Sequence, residues 1–192
     1  MDKRIERTQR DVRRAAIALL GESGYTAFNM EAVANKAGVS KSTLYRHWPT
    51  KVSLIADALE TLNVQPRPGP DEGDVRERVT LLLRHLAEAL AASQFAACIP
   101  GLIEASKHHQ ELADFLHAYS ARRRETLVAV LLDAAAAGEL PEDFDAETAA
   151  LALSGAIFFR RIMTPTPYAA EDVPALVAMV LGPKSLRRGP AD

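Results

Sequence analysis

The chain has 192 residues, of which 48% are hydrophobic and 25% charged, with a formal net charge of −2. This profile is typical of a globular protein that buries a core and excludes a disordered chain. The charged N-terminal stretch excludes a secretory signal, and the longest apolar run, 149–159, is shorter than the roughly 20 residues that span a bilayer. With a single cysteine and hence no internal disulfide, we expect a soluble cytoplasmic protein with no membrane partner.

Positive charge is concentrated at the N-terminal end. Residues 1–51 contain ten Lys or Arg and five Asp or Glu, a net charge of +5. The remaining 141 residues contain 13 and 20, a net charge of −7. This asymmetry suggests a basic segment that meets a polyanion, attached to an acidic body with a separate role.

Helical periodicity begins near the N-terminus. An apolar stripe predicts a first helix that stops near 21–24. Asn29 is a suitable N-cap for a second helix over 30–36. Gly38 follows it, where a helix C-terminus favours a left-handed residue.

The next two helices are marked by caps and by proline. Ser40 caps a third helix, which runs to Trp48 and is stopped by Pro49. Thr50 opens a fourth helix, over about 51–62.

The rest of the chain also reads as helical after a Pro/Gly-rich loop. Five more helices are predicted, at about 74–93, 95–108 (disturbed at Pro100-Gly101), 110–137, 146–163 and 173–181. No stretch alternates as a strand does. We therefore predict an all-α protein of about nine helices, with an N-terminal three-helix helix-turn-helix domain (1–52) and a C-terminal helical bundle (53–192).

The second and third helices, joined by a tight turn, predict a helix-turn-helix. Val39 and Leu44 supply apolar contacts that fix the angle, which leaves hydroxyls and cations on the third helix free to face a groove. Early positions of such a helix reach base edges, and later ones donate to phosphates. The predicted DNA-binding residues are Asn29, Ser40, Lys41, Ser42, Thr43, Tyr45, Arg46, His47 and Lys51.

The segment "GYTAFNMEAVANKAGVSKSTLYRHWPTKVSL" closely resembles the DNA-binding domain of the TetR family of transcriptional regulators, over about residues 8–55. Asn29 stands where Thr or Ser is usual and still caps; Trp48 stands where Phe is usual and still packs. The resemblance implies a homodimer that binds a palindromic double-stranded DNA operator and releases it when a small molecule enters the C-terminal domain.

The resemblance also implies a dimer interface on the last two helices. Small residues on the first of them permit close approach, and an apolar stripe on the second must be buried somewhere. The predicted interface residues are Leu151, Ser154, Gly155, Phe158, Val173, Leu176, Val177, Val180 and Leu181. Burial of the stripe within one chain is the alternative.

An effector pocket is predicted from residue type alone. A mainly apolar wall with a few polar tips favours a small apolar or amphipathic effector. The candidates are Phe95, Cys98, Leu102, Phe115, His117, Tyr119 and Phe159, and each is also a typical core residue. The three consecutive arginines at 122–124 either attract an anionic ligand or form a solvated face of the helix.

No pattern indicates catalysis, a metal or a cofactor. Glu104 and His108 lie one helical turn apart, but nothing completes a metal set. Cys98 has apolar neighbours, which favours a buried inert thiol over a redox sensor. Since phosphate loops and nucleophile elbows are also absent, we expect a regulator and not an enzyme.

Three alternatives stay open at this stage. The basic N-terminus could belong to a helical ligand-carrying or protein-interaction module without sequence-specific DNA binding. The first nine residues are either a mobile tail or an arm that touches the minor groove. Sequence does not separate a repressor from an activator.

Overall fold

The computed structural model describes residues 3–61, 65–69, 71–92, 96 and 98–182, and these residues form nine α-helices and no strand. The prediction of an all-α protein is confirmed. The helices are α1 (Lys3–Ala27), α2 (Met30–Ala37), α3 (Lys41–His47), α4 (Lys51–Glu60), α5 (Val75–Ala92), α6 (Ile99–Ser106), α7 (Gln110–Ala136), α8 (Ala146–Met163) and α9 (Val173–Leu181).

The chain divides into two compact units. The first comprises residues 1–65 and 90–123, and the second comprises 66–89 and 124–192. The domain boundary predicted between residues 52 and 53 divides the chain by expected function, and these compact units do not test it. It stays a prediction. None of the described helices combines the length and apolar character needed to cross a membrane.

One apolar cluster forms the core of the first unit. Helix α1 packs against α2, α4 and α6, because its buried side chains recur every three or four residues and form a continuous stripe. The largest side chains of this cluster that are almost fully buried are Leu20, Leu44, Leu54, Ile55, Leu59, Leu102 and Leu112.

The predicted end of the first helix near 21–24 coincides with a break at Gly24, whose φ of 69° and ψ of 176° are not helical, although α1 as a whole extends to Ala27. The predicted disturbance at Pro100-Gly101 is wrong, because α6 begins at Ile99 and Pro100 lies in its first turn. A proline is tolerated there since its missing N–H would have had no intrahelical partner.

Polar contacts fix the first turn of α5 within the second unit. The buried Arg78 pairs with the carboxylate of Glu139, whose other oxygen accepts a hydrogen bond from the backbone N–H of Val75 at 2.7 Å. Arg76 donates to the carbonyls of Leu181 and Gly182 at the C-terminal end of α9. Helix α9 is therefore held against α5.

Candidate nucleic-acid interface

Helix α2 is delimited by local capping. The side chain of Asn29 accepts a hydrogen bond from the backbone N–H of Ala32 at 2.7 Å. At the other end Gly38 is left-handed, with φ 67° and ψ 32°, and the N–H of Val39 donates to the carbonyl of Ala34 at 3.0 Å. Glycine adopts this conformation without the steric cost of a Cβ atom, so the turn into α3 is tight.

Helix α3 presents a polar surface on a buried anchor. Ser40 caps it by accepting from the N–H of Thr43 at 3.2 Å, and Leu44 is fully buried beneath it. Thr43 is half-buried, and its hydroxyl lies 2.9 Å from that of Ser40. The exposed residues of α3 are Lys41, Ser42, Tyr45, Arg46 and His47. Such donors suit phosphate oxygens and base edges.

A three-residue network fixes the C-terminal end of α3. The indole N–H of the buried Trp48 donates to Asp57 of α4 at 2.7 Å. Arg13 of α1 donates to both oxygens of the same carboxylate, at 2.8 and 3.0 Å. Because Asp57 joins α1 and α4 to the residue that ends α3, it sets the orientation of the exposed surface.

The side chain of Lys51 is directed into the protein. Its ammonium donates to the carbonyl of Tyr25, lies 3.8 Å from the centroid of the Tyr25 ring and is half-buried. Burial lowers the pKa of Lys51, and burial followed by the charge of Glu111 raises the pKa of Tyr25. This contact ties the start of α4 to the end of α1, and a phosphate contact by Lys51 stays a prediction.

Lys41 also has a partner within the chain. Its ammonium lies 2.6 Å from the carboxylate of Glu31 on α2, and both side chains are more than half exposed. A pair this exposed contributes at most about 1 kcal/mol to stability, so a phosphate or a base can displace it. Lys41 remains available to DNA.

The residues predicted for an effector pocket lie in different places. Cys98 and Leu102 are buried in the apolar cluster of the first unit, and Phe115 and Tyr119 pack against it. His117 is exposed, and Phe159 is exposed on α8. Phe95 lies outside the described residues. That the predicted pocket residues line one cavity stays a prediction.

The residues predicted for a dimer interface divide into two groups. Leu151 and Gly155 on α8 are exposed, whereas Ser154, Phe158 and Val180 are half-buried. The apolar stripe on α9 is buried within its own chain, which is the alternative to its predicted place in the dimer interface. These buried residues are Val173, Leu176, Val177 and Leu181. The large apolar side chains of α8 and α9 that are exposed are Leu151, Phe159, Met163 and Met179.

The remaining candidates offer little chemistry. Burial raises the pKa of the Cys98 thiol, which disfavours the reactive thiolate. Glu104 and His108 are exposed and 4.0 Å apart. Among the residues described, no three His, Cys, Asp or Glu side chains converge as a metal site would require.

Sequence reasoning missed the partners of the interface residues. No sequence pattern indicates a contact for Asp57, Glu31 or Arg13. Asp57 lies 44 residues from Arg13 along the chain, so periodicity does not reveal their contact. The one usable signal was Trp48, because a buried indole needs an acceptor for its N–H.

Comparisons with known proteins agree with this geometry. Residues 12–58 match a family described as bacterial regulatory proteins, tetR family, and residues 69–180 match a tetracyclin repressor-like C-terminal domain. The chain is 30% identical to the HTH-type transcriptional regulator YdeS of Bacillus subtilis over 84% of this chain and 81% of that protein. It is 33% identical to the DNA-binding transcriptional repressor TetR of Mycobacteroides abscessus, over 55% of this chain and 56% of that one. The solved structure of the TetR family transcription regulator SCO0332 aligns with a TM-score of 0.69 at 31% identity, covering 91% of this chain and 96% of that one.

Proposed function

Since the chain belongs to the TetR family of transcriptional regulators, we propose that it binds a palindromic operator as a homodimer and represses the adjacent genes until a small effector releases it. The observation that carries this proposal is the exposed polar surface of α3. Its orientation is fixed by the contact of Trp48 with Asp57. A carrier or protein-interaction module has no need of a short helix that is positioned so firmly and covered with hydroxyls and cations.

The roles of the interface residues follow from their positions. Lys41 and Ser42 open α3 and reach base edges, because the N-terminal residues of a recognition helix enter the major groove. Tyr45, Arg46 and His47 donate to phosphates farther along the helix. Lys51 ties the start of α4 to the end of α1.

A homodimer is supported by the exposed apolar side chains of α8 and α9. Leu151, Phe159 and Met163 recur at intervals of eight and four, so they lie on one face of α8. Gly155 lies on the same face, with open space where a Cβ atom would stand. A second copy would cover this face and present two α3 helices to half-sites separated by about 34–36 Å or a multiple of it.

Effector response is proposed to pass through α4. Helix α4 is joined to α7 at both ends: the Thr50 hydroxyl donates to Glu111 at 2.9 Å, and Arg122 pairs with Glu60. These contacts join successive positions in the same order on both helices, so α4 and α7 run in parallel. A shift of α7 on effector binding would tilt α4 and change the separation of the two α3 helices.

The proposed effector is small and apolar or amphipathic. The aromatic and aliphatic side chains predicted for the pocket, with the Tyr119 hydroxyl and the Cys98 thiol among them, favour such a ligand over a highly charged one. We propose no cofactor and no catalytic activity. We also propose that the protein acts in the cytoplasm, because its operator lies there.

Selection of genomic fragments tests the proposal. Purified protein is mixed with sheared DNA from the source genome, and bound fragments are sequenced. We expect one enriched palindrome with wild-type protein and loss of that enrichment for the double variant Tyr45→Ala/Arg46→Ala, which leaves the buried Leu44 and Trp48 intact. Equal recovery of all fragments by the wild type would refute the proposal and favour a carrier or protein-interaction module.

A further inference from the structure

From the contact between α2 and α3 we infer that Glu31 is a specificity residue, which reads the cytosine of a G·C base pair whose guanine is read by Lys41. This inference rests on the proposed function, because it concerns the same DNA-facing surface. It adds an acidic residue on α2 to a surface for which the sequence predicts only hydroxyls, cations and an amide.

Glu31 lies beside the start of α3. Its carboxylate lies 2.6 Å from the Lys41 ammonium, at the first residue of α3. The exposed fractions of the two side chains are 57% for Lys41 and 61% for Glu31, so both face solvent where the base edges would lie. Glu31 therefore reaches the same part of a major groove as the start of α3.

The energetics of the pair give the second argument. An exposed ion pair contributes little to folding, and a carboxylate beside a polyanion weakens DNA binding through like-charge repulsion. Phosphates attract Lys41 and repel Glu31, so contact with DNA backbone alone separates the pair. A base edge that satisfies both charged groups keeps them together.

The chemistry of the G·C edge is the third argument. In the major groove guanine presents the acceptors O6 and N7, and cytosine presents the donor N4 amino group beside them. A lysine donates to the guanine acceptors and a glutamate accepts from the cytosine amino group. The Lys41–Glu31 pair places one cationic donor next to one anionic acceptor, which is the complement of this edge.

The test is a base-pair scan of the operator. Each base pair of one half-site is replaced in turn, and fluorescence anisotropy gives the affinity of the wild type, Glu31→Ala and Lys41→Ala for every duplex and for a scrambled one. In the wild type we expect one G·C pair whose replacement by A·T weakens binding roughly 5- to 160-fold, the range that one specific base contact gives. Each variant should lose part of that penalty at the same base pair, because it removes one of the two contacts, and should keep the penalties at the other base pairs.

A matched control separates base reading from simple charge removal. Glu22 pairs with Lys36 at 2.9 Å, and both are substantially exposed, so Glu22→Ala also breaks an exposed Lys–Glu pair. Lys36 lies five residues after Glu31, roughly 140° around α2, and its partner is on α1 instead of α3. We expect Glu22→Ala to leave the penalty at every base pair unchanged.

Two further readouts make the outcomes distinct. Glu31→Ala should bind scrambled DNA more tightly than the wild type does, because an anion is removed from the DNA-facing surface. An unchanged penalty profile in Glu31→Ala, or losses at different base pairs in the two variants, would overturn the inference while the operator stands. Wild-type protein that binds all duplexes equally would overturn the proposed function as well. Circular dichroism of each variant verifies that its helices are intact.

Discussion

Replacement of Asp57 by alanine tests the network that orients α3. Asp57→Ala removes the acceptor of three hydrogen bonds, two from Arg13 and one from the indole of Trp48. The Arg13 and Asp57 side chains are 27% and 34% exposed, so water replaces part of that pair and its loss costs up to about 1 kcal/mol. The indole N–H is left buried without an acceptor, at a cost of about 1–3 kcal/mol. We therefore expect the free energy of unfolding to fall by about 1–4 kcal/mol.

The assay uses the only tryptophan of the chain. Trp48 lies within the network, so its fluorescence during urea denaturation reports unfolding at this position. Asp11→Ala is the matched control, because Asp11 pairs with the strongly exposed Arg7 and Arg14 on α1. That substitution should cost no more than about 1 kcal/mol. If Asp57→Ala destabilises the protein no more than Asp11→Ala does, the network does not fix α3 and the reasoning is refuted.

Three further predictions concern the turn, the thiol and the subunit contact. Gly38→Ala should lower the free energy of unfolding by about 1–2 kcal/mol because φ is 67° there, whereas Gly101→Ala in α6 should not destabilise; equal urea midpoints would contradict this. Burial raises the pKa of Cys98, so the folded chain keeps a proton that the unfolded chain loses. The stability of the wild type relative to Cys98→Ala should therefore fall as the pH rises from about 8 to 10, and a constant difference would disprove the linkage. Phe159→Glu should yield monomers in light scattering, whereas Leu132→Glu, at an equally exposed apolar position on α7, should leave dimers; matching masses would argue against the α8 interface.

The helix-turn-helix was predictable because its signals are local. Asn29, Ser40 and Thr50 cap helices through hydrogen bonds to N–H groups three residues ahead, and Gly38 ends α2 through its own backbone conformation. Each of these interactions lies within a few residues of sequence. The bounds of α8 and α9 agreed with the prediction, and Asp145 caps α8 by accepting a hydrogen bond from the N–H of Thr148.

The partners of charged side chains were not predictable from the sequence. Lys51 resembles an exposed helix-start cation, yet its ammonium lies over the ring of Tyr25, 26 residues earlier. The apolar residues of α9 were compatible with burial in either one chain or two, because periodicity shows that a face is buried but not what covers it. Long-range contacts decided both cases.

The most direct test of the central claim is a salt titration of binding to the enriched palindrome and to a scrambled duplex of equal length. We expect affinity for the palindrome at least about 10³-fold above that for the scrambled duplex at physiological salt. We also expect log affinity to fall linearly with log salt, with a slope of about −0.9 for each phosphate contact. Equal and weak affinity for both duplexes at every salt concentration would contradict the account of α3 as a sequence-reading helix.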